Sequence, residues 1–254
     1  MFLIAQNTIR EMTRNKFFSL ILFLWVVFIL LSFLLETLAL GELKRMLYDF
    51  GLSFIEITGL AVVLFLGGGM LAREIEWRTI YLMLSKPIGR GQIFLGKFFG
   101  FALVMLFMVA FQSLILLGLL ILRNIAIDPL FFWAILGIIL KLFSLLAVIL
   151  FFTNLTSPLI SMFLTLATYI IWHSWYTMLD YALHKWDANV LYFAKWILIL
   201  FPNLEALNLK NYIATDAPIE LIKWLISYWA GAFYIVILLS LWAYIFSRKS
   251  FDNA

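Results

Sequence analysis

The chain of 254 residues has no cysteine and only two histidines, His173 and His184. The first absence excludes disulfides, thiolate metal sites and sulfur redox chemistry. The second leaves His173 and His184, with Asp180 and Asp187 nearby, as the candidate metal cluster. These are read instead as polar residues at a membrane interface, so no metal site and no bound cofactor are expected. Also missing are a GxxxxGK[ST] phosphate loop, an HExxH pair and a GxSxG elbow, which removes the usual ways for one chain to hydrolyse a nucleotide, a peptide or an ester. A non-catalytic chain is expected. Charge is scarce as well, at 13% of residues with a net +4, and its distribution suits a membrane surface rather than a nucleic acid.

What the chain has in abundance is apolar surface: 65% hydrophobic residues, 26 Phe and 10 Trp, with a mean hydropathy of +1.07. A globular fold of this size lacks the interior to hide that much, so the chain reads as an integral, all-α polytopic membrane protein. Six apolar runs reach the roughly 20 residues a helix needs to cross a bilayer, at 17–35, 52–72, 98–122, 130–152, 158–179 and 222–246. The short connections 123–129 and 153–157, the latter followed by Pro158, read as hairpins between antiparallel helices. No soluble domain interrupts the series, so 1–254 is read as one transmembrane domain.

Charge orients it. One side carries ten basic residues (Arg10, Arg14, Lys16, Arg73, Arg78, Lys86, Arg90, Lys97, Arg248, Lys249) against four acidic ones, and the other seven basic against nine acidic. Basic residues favour the cytoplasmic face, which places both termini in the cytoplasm of a cell membrane. Residues 1–16 put Phe2, Ala5, Ile9 and Met12 on one helical face and Asn7, Arg10, Glu11 and Arg14 elsewhere, the pattern of an amphipathic helix lying along the inner surface. The apolar run after Lys16 is too long for a signal peptide. The outer segment 180–221 contains "NVLYFAKWILILFPN" at 189–203, too short to cross twice and too apolar to float free. It reads as an interfacial or re-entrant helix stopped at Pro202, with "FPNLEALNL" as an ordered outer loop.

Polar residues inside the spans are few, and each asks for a partner. Glu56 and Lys141 form a candidate pair between the second and fourth spans; the alternative is that Glu56, five residues into its span, snorkels to the interface. Gln112 is the third such residue. Ser157, Ser161, Thr165 and Thr168 recur at three- and four-residue steps, one small polar face suited to close helix approach, a dimer contact or a pathway lining. Gly67, Gly68 and Gly69, with no strand before them, read as close packing or local loosening rather than a nucleotide loop, and Gly96 and Gly100 give a GxxxG spacing.

The densest charge lies in "REIEWRTIYLMLSKPIGRGQIFLGK", residues 73–97, between the second and third runs. Glu74 and Arg78 stand four apart with the acid first, the favourable order for a helical ion pair, and Ser85-Lys86-Pro87 ends that helix because the residue before proline avoids helical angles. A topological anchor needs only Lys and Arg. Glu74 and Glu76 interleaved with Trp77 and Tyr81 describe a contact surface as well.

The pattern E-x-x-x-x-T-I-Y-x-x-L-S-K-P-I-x-R-x-Q-I-x-x-G-K, Glu74 to Lys97, resembles the loop after the second span in ABC type-2 transporter permeases (type V exporter-like), whose ATPase and permease are separate chains. The amphipathic start, the six spans and the outer "PN" before the last span extend the likeness over nearly the whole chain. The resemblance implies that this loop is a cytoplasmic coupling helix, with Glu74, Glu76, Arg78, Thr79, Tyr81 and Arg90 at or near the ATPase contact and Lys97 supporting its return into the membrane. It further implies two ATPase subunits, which hold the ATP and Mg, and a second permease copy, by default a homodimer. The expected function is therefore the membrane half of an ATP-driven exporter. Two other readings stand beside it: a non-transporting scaffold that passes ATPase motion to an outer partner, and a membrane-embedded lipid-modifying enzyme using Glu56, Lys141 or the histidines.

Overall fold

The computed structural model describes residues 2–14, 16–38, 42–69, 90–185, 204–213 and 221–248. They form α1 (Phe2–Thr13), α2 (Lys16–Leu38), α3 (Leu43–Val62) with a π-helical turn over Val63–Gly68, α4 (Arg90–Leu122), α5 (Leu130–Leu155), α6 (Pro158–Lys185), two short 3-10 turns (Leu204–Leu207 and Lys210–Tyr212) and α7 (Leu221–Arg248). Among the described residues there is no strand. Among the described residues, four stretches are long and apolar enough to cross a membrane: Leu43–Phe65, Leu95–Leu122, Leu130–Leu155 and Trp224–Ala243. Shorter apolar helical stretches occupy Phe23–Leu34 and Pro158–Ser174. Large side chains such as Phe107, Leu114, Phe163, Trp229 and Phe233 point outward, the arrangement of a protein whose solvent is lipid.

Centrally placed α5 packs against α3, α4, α6, α7 and the π turn. Its stretch from Ser144 to Leu150 is buried without interruption, as a helix surrounded by others must be. Both of its ends follow from local chemistry. At the start, the Asp128 carboxylate accepts from the Leu130 N–H at 2.9 Å and the Asp128 carbonyl from the Phe131 N–H at 3.0 Å, meeting donors that a helix N-terminus leaves open. The preceding α4 stops because Asn124 takes a left-handed φ of 54° and the Ile125 N–H turns back to the Leu120 carbonyl at 2.9 Å. At the far end, Thr156 is extended, and Pro158 opens α6 in the first turn, where its missing N–H costs nothing.

The helix that carries the second expected span, 52–72, begins nine residues before it, at Leu43. The charges lie on one side, with Arg45 and Asp49 3.9 Å apart, while Leu47, Tyr48, Gly51 and Leu52 are buried on the other. Tyr48 then donates to the Ala126 carbonyl at 3.2 Å and accepts from the Asp128 N–H at 3.0 Å, fastening α3 to the α4–α5 connection. Smaller extensions are found elsewhere: α5 runs to Leu155 and α6 to Lys185.

The glycines over 67–69 lie in and after the π turn, where a Cβ on Gly68 would come within 2.9 Å of Ile149 on α5. Both readings of these glycines, close packing and altered winding, describe the same turn. The α2 helix joins α3 through rings, Phe28 stacked on Phe54 at 4.8 Å and Trp25 edge-on to it at 5.2 Å. Helix α1 packs along α4 with Gln6, Asn7, Arg10 and Glu11 exposed and Thr8 buried. The interfacial helix expected over 189–203 and residues 70–89 of the charged loop lie outside the described residues.

Candidate functional site

A carboxylate in the middle of α3 organises the polar interior. Ser53 and Glu56 are one turn apart and so share a face. The next turn carries Gly59, whose missing side chain lets α5 approach: a Cβ there would sit 2.4 Å from Leu142 Cδ1. Lys141, beside that leucine, reaches Glu56 Oε1 at 3.2 Å. From α6 the Tyr169 hydroxyl donates to the same oxygen at 3.2 Å. The other oxygen, Oε2, accepts from Lys210 Nζ, which also donates to Ser53 Oγ at 3.2 Å. Glu56 is 1% and Lys141 3% exposed. Burying either alone would cost several kcal/mol, and only mutual neutralisation with well-placed hydrogen bonds makes the arrangement tenable.

Lys210 comes from residues 204–213, which hold two short 3-10 turns rather than a long helix. Residues 204–213 enter with Leu207, Leu209 and Ile213 buried and pack against α3, α5, α6 and α7. Gly137 makes room for this entry, since a Cβ there would fall 2.5 Å from the Leu207 carbonyl oxygen and 3.0 Å from the Tyr228 hydroxyl. Tyr228 donates to the Trp133 carbonyl at 2.6 Å and so joins α7 to α5 at the same level. The segment braces itself as well. The Asn208 N–H donates to the Glu205 carbonyl at 2.8 Å, and the Asn208 side-chain amide to Glu205 Oε1 at 2.9 Å.

The remaining Glu205 oxygen lies 2.7 Å from His173 Nδ1, and the His173 ring stacks with Tyr169, centroids 6.0 Å apart and planes 14° from parallel. Glu56, Lys141, Tyr169, Trp172, His173 and Glu205 together line a cavity of about 10 Å3, room for about one water or one ammonium-sized group. Two carboxylates and two ammonium groups thus meet within the helical bundle.

Of the residues singled out from sequence, Glu56 and Lys141 are brought together. Glu56 is turned into the bundle, bonded to Lys141, Tyr169 and Lys210, rather than reaching outward along its helix. Gln112 is buried on α4, with Oε1 3.3 Å from the Thr58 hydroxyl. On α6, Ser161, Thr165 and Thr168 are buried by this chain's own packing and their hydroxyls bond carbonyls three or four residues back, while Ser157 is exposed. The small polar face expected for a dimer contact or a pathway is therefore covered inside the single chain at its last three positions.

Glu74, Glu76, Arg78, Thr79 and Tyr81 lie outside the described residues, and Arg90 is the first residue of α4. Among the described residues no group of three or more His, Asp or Glu is placed to hold a metal. Sequence reasoning missed Lys210, Ser53, Tyr169 and the contact between Glu205 and His173. Part of the signal was present: Tyr169 follows Thr165, and His173 follows Tyr169, at the same four-residue step as the Ser/Thr face. Lys210, in a stretch without helical periodicity, left no such trace.

The helices and the buried ion cluster define a class: a multi-pass, all-helical membrane protein with a charged centre. No protein-family model matches the chain, and no curated protein matches it.

Proposed function

We propose that the chain is the transmembrane permease subunit of an ATP-binding cassette exporter, six-spanning with both termini cytoplasmic, working as a dimer with separate ATPase subunits. One observation carries this reading: the mixed-charge segment 73–97, with its Glu74-to-Lys97 pattern, follows α3 and runs into the first turns of α4, in a chain whose sequence holds no phosphate loop. A loop built of Glu74, Glu76, Arg78, Thr79 and Tyr81 offers an ATPase both charges and rings, and Arg90 heads the helix that returns to the membrane. Hydrolysis in the partner would shift this loop, and the spans would follow between two states. The described helices support the membrane half of the proposal, and the π turn of Val63–Gly68 supplies a non-standard joint just before the loop.

The test is purification of the tagged chain from its own membrane in mild detergent. An ATPase bearing a phosphate loop should co-purify and should be lost from the triple variant Glu74→Arg, Glu76→Arg, Arg78→Glu. Recovery of the chain with no ATPase, or an association indifferent to the triple reversal, would defeat the proposal. A second reading, a scaffold that passes force to an outer partner without transport, draws on the seating of residues 204–213 upon Glu56 at the centre of the bundle. Cargo movement by the complex in vesicles would decide against the scaffold.

A further inference from the structure

We propose that Glu56 and Ser53, with Glu205 across the adjoining cavity, form a binding site for a primary ammonium group, which the chain's own Lys210 fills as a tethered plug. The two lysines at Glu56 are not equivalent. Lys141 is fixed on the central helix α5 and holds Oε1, so Glu56 and Lys141 are neutral as a pair. Lys210 projects from the short 3-10 segment 204–213 and holds Oε2 and Ser53 Oγ. Withdrawal of Lys210 would leave Glu56 with Lys141 as its one cationic contact and Glu56 Oε2 without an N–H donor, while Glu205 across the cavity keeps its contact to His173. Such a site calls for a single compact cation.

Hydrogen bonding narrows the cation further. Glu56 Oε2 and Ser53 Oγ both accept from the present occupant, so the replacement must carry N–H donors, which a quaternary ammonium lacks. The adjoining space, about 10 Å3, admits the head of a primary amine and little more. An alkyl chain behind that head could leave along the path now taken by the Lys210 side chain, which is apolar apart from its tip. The ligand class is thus a primary alkylammonium, most favourably one with a membrane-soluble tail. That such a compound is cargo rests on the permease reading. The site itself does not, and its test needs no ATPase.

The isolated chain in lipid nanodiscs, as the Lys210→Ala variant, is titrated with n-butylammonium while its thermal unfolding is followed. Saturable stabilisation is expected, at least about tenfold tighter than for the unmodified chain, because a tethered competitor acts at a high effective concentration. Tetramethylammonium and n-butanol should give none, and the effect should vanish when Glu56→Gln and Lys141→Met are added together. Equal stabilisation by butanol, or no difference from the unmodified chain, would overturn the site.

Should Lys210→Ala not fold, Lys210→Cys offers a second arm in a chain free of other thiols. Alkylation with bromoethylamine restores an ammonium at nearly the native reach and should recover the native melting temperature. Ethylation of the same thiol should not, and equal recovery by both reagents would again overturn the site. Failure in these experiments leaves the ATPase co-purification untouched, and failure there leaves this site untouched.

Discussion

Replacing Glu56 by Gln should destabilise the protein more than replacing Lys141 by Met, and adding the second change to the first should restore part of what was lost. At 3.2 Å a unit-charge pair in an effective dielectric of about 20 is attracted by roughly 5 kcal/mol before desolvation is counted. Glu56→Gln leaves Lys141 buried with no carboxylate in contact and with Lys210 close by, which places the loss at about 3–5 kcal/mol, the range for stripping one partner from a buried pair. Lys141→Met leaves Glu56 still bonded to Lys210 and Tyr169, so about 1.5–3 kcal/mol is expected from losing one charged hydrogen bond of several. The double variant removes the stranded cation and should regain at least ~1.5 kcal/mol over Glu56→Gln, a coupling readable from a double-mutant cycle. Unfolding by graded SDS in mixed micelles measures all four proteins. Simple additivity, or a double variant worse than Glu56→Gln, would refute the account of Glu56 as the shared counter-ion.

Three further outcomes follow from the same packing. Gly137→Ala should destabilise more than Gly59→Ala, since the new methyl meets the Leu207 backbone carbonyl at 2.5 Å in the first case and only a movable Leu142 side chain in the second; thermal midpoints of the two variants make the comparison. Gly137→Ala should also raise maleimide labelling of a Tyr212→Cys reporter by lifting residues 204–213, with Gly59→Ala leaving it unchanged. Tyr48→Phe should cost ~1 kcal/mol and speed amide exchange at Asp128, because its hydroxyl bonds both Ala126 and Asp128.

The membrane class and the all-helical character were legible from composition and run length, because lipid admits few backbone solutions. Boundaries were less so. The start of α3 was hidden by Lys44, Arg45 and Asp49, which hydropathy averages read as a loop although Leu47, Tyr48, Gly51 and Leu52 already carry a buried helical face. The meeting of Glu56 with Lys141 was legible because each is a costly charge within an apolar run, and costs of that size demand a partner. Lys210 was not, since its stretch has neither run length nor period and its depth depends on Gly137 and Leu207 meeting across sequence positions 70 apart. The Ser161, Thr165 and Thr168 face was visible as a pattern, but a pattern of small residues says that something comes close without saying what. Here the neighbours belong to the same chain.

In the proposed permease, motion at the charged loop would enter the bundle through α3. At about 1.5 Å per residue, Glu56 stands roughly 20 Å up the α3 axis from Gly69, where the described part of α3 ends. Between them lies the π turn, in which each residue's winding differs from its neighbours in the α-helix. Gly67 and Gly68 let this turn lie close against α5, where a Cβ on either would fall 3.3 or 2.9 Å from the Ile149 side chain. Above the turn, Glu56 is bonded to three different elements: α5 through Lys141, α6 through Tyr169 and residues 204–213 through Lys210. A turn of α3 cannot keep all three. Lys141 and Tyr169 project from long helices, whereas Lys210 projects from a short segment held by three buried apolar side chains, its own contact to Glu56 and the Glu205–His173 contact. The contact to Lys210 is the one whose release disturbs least packing, which makes residues 204–213 the part of the bundle that a shift of α3 would free first.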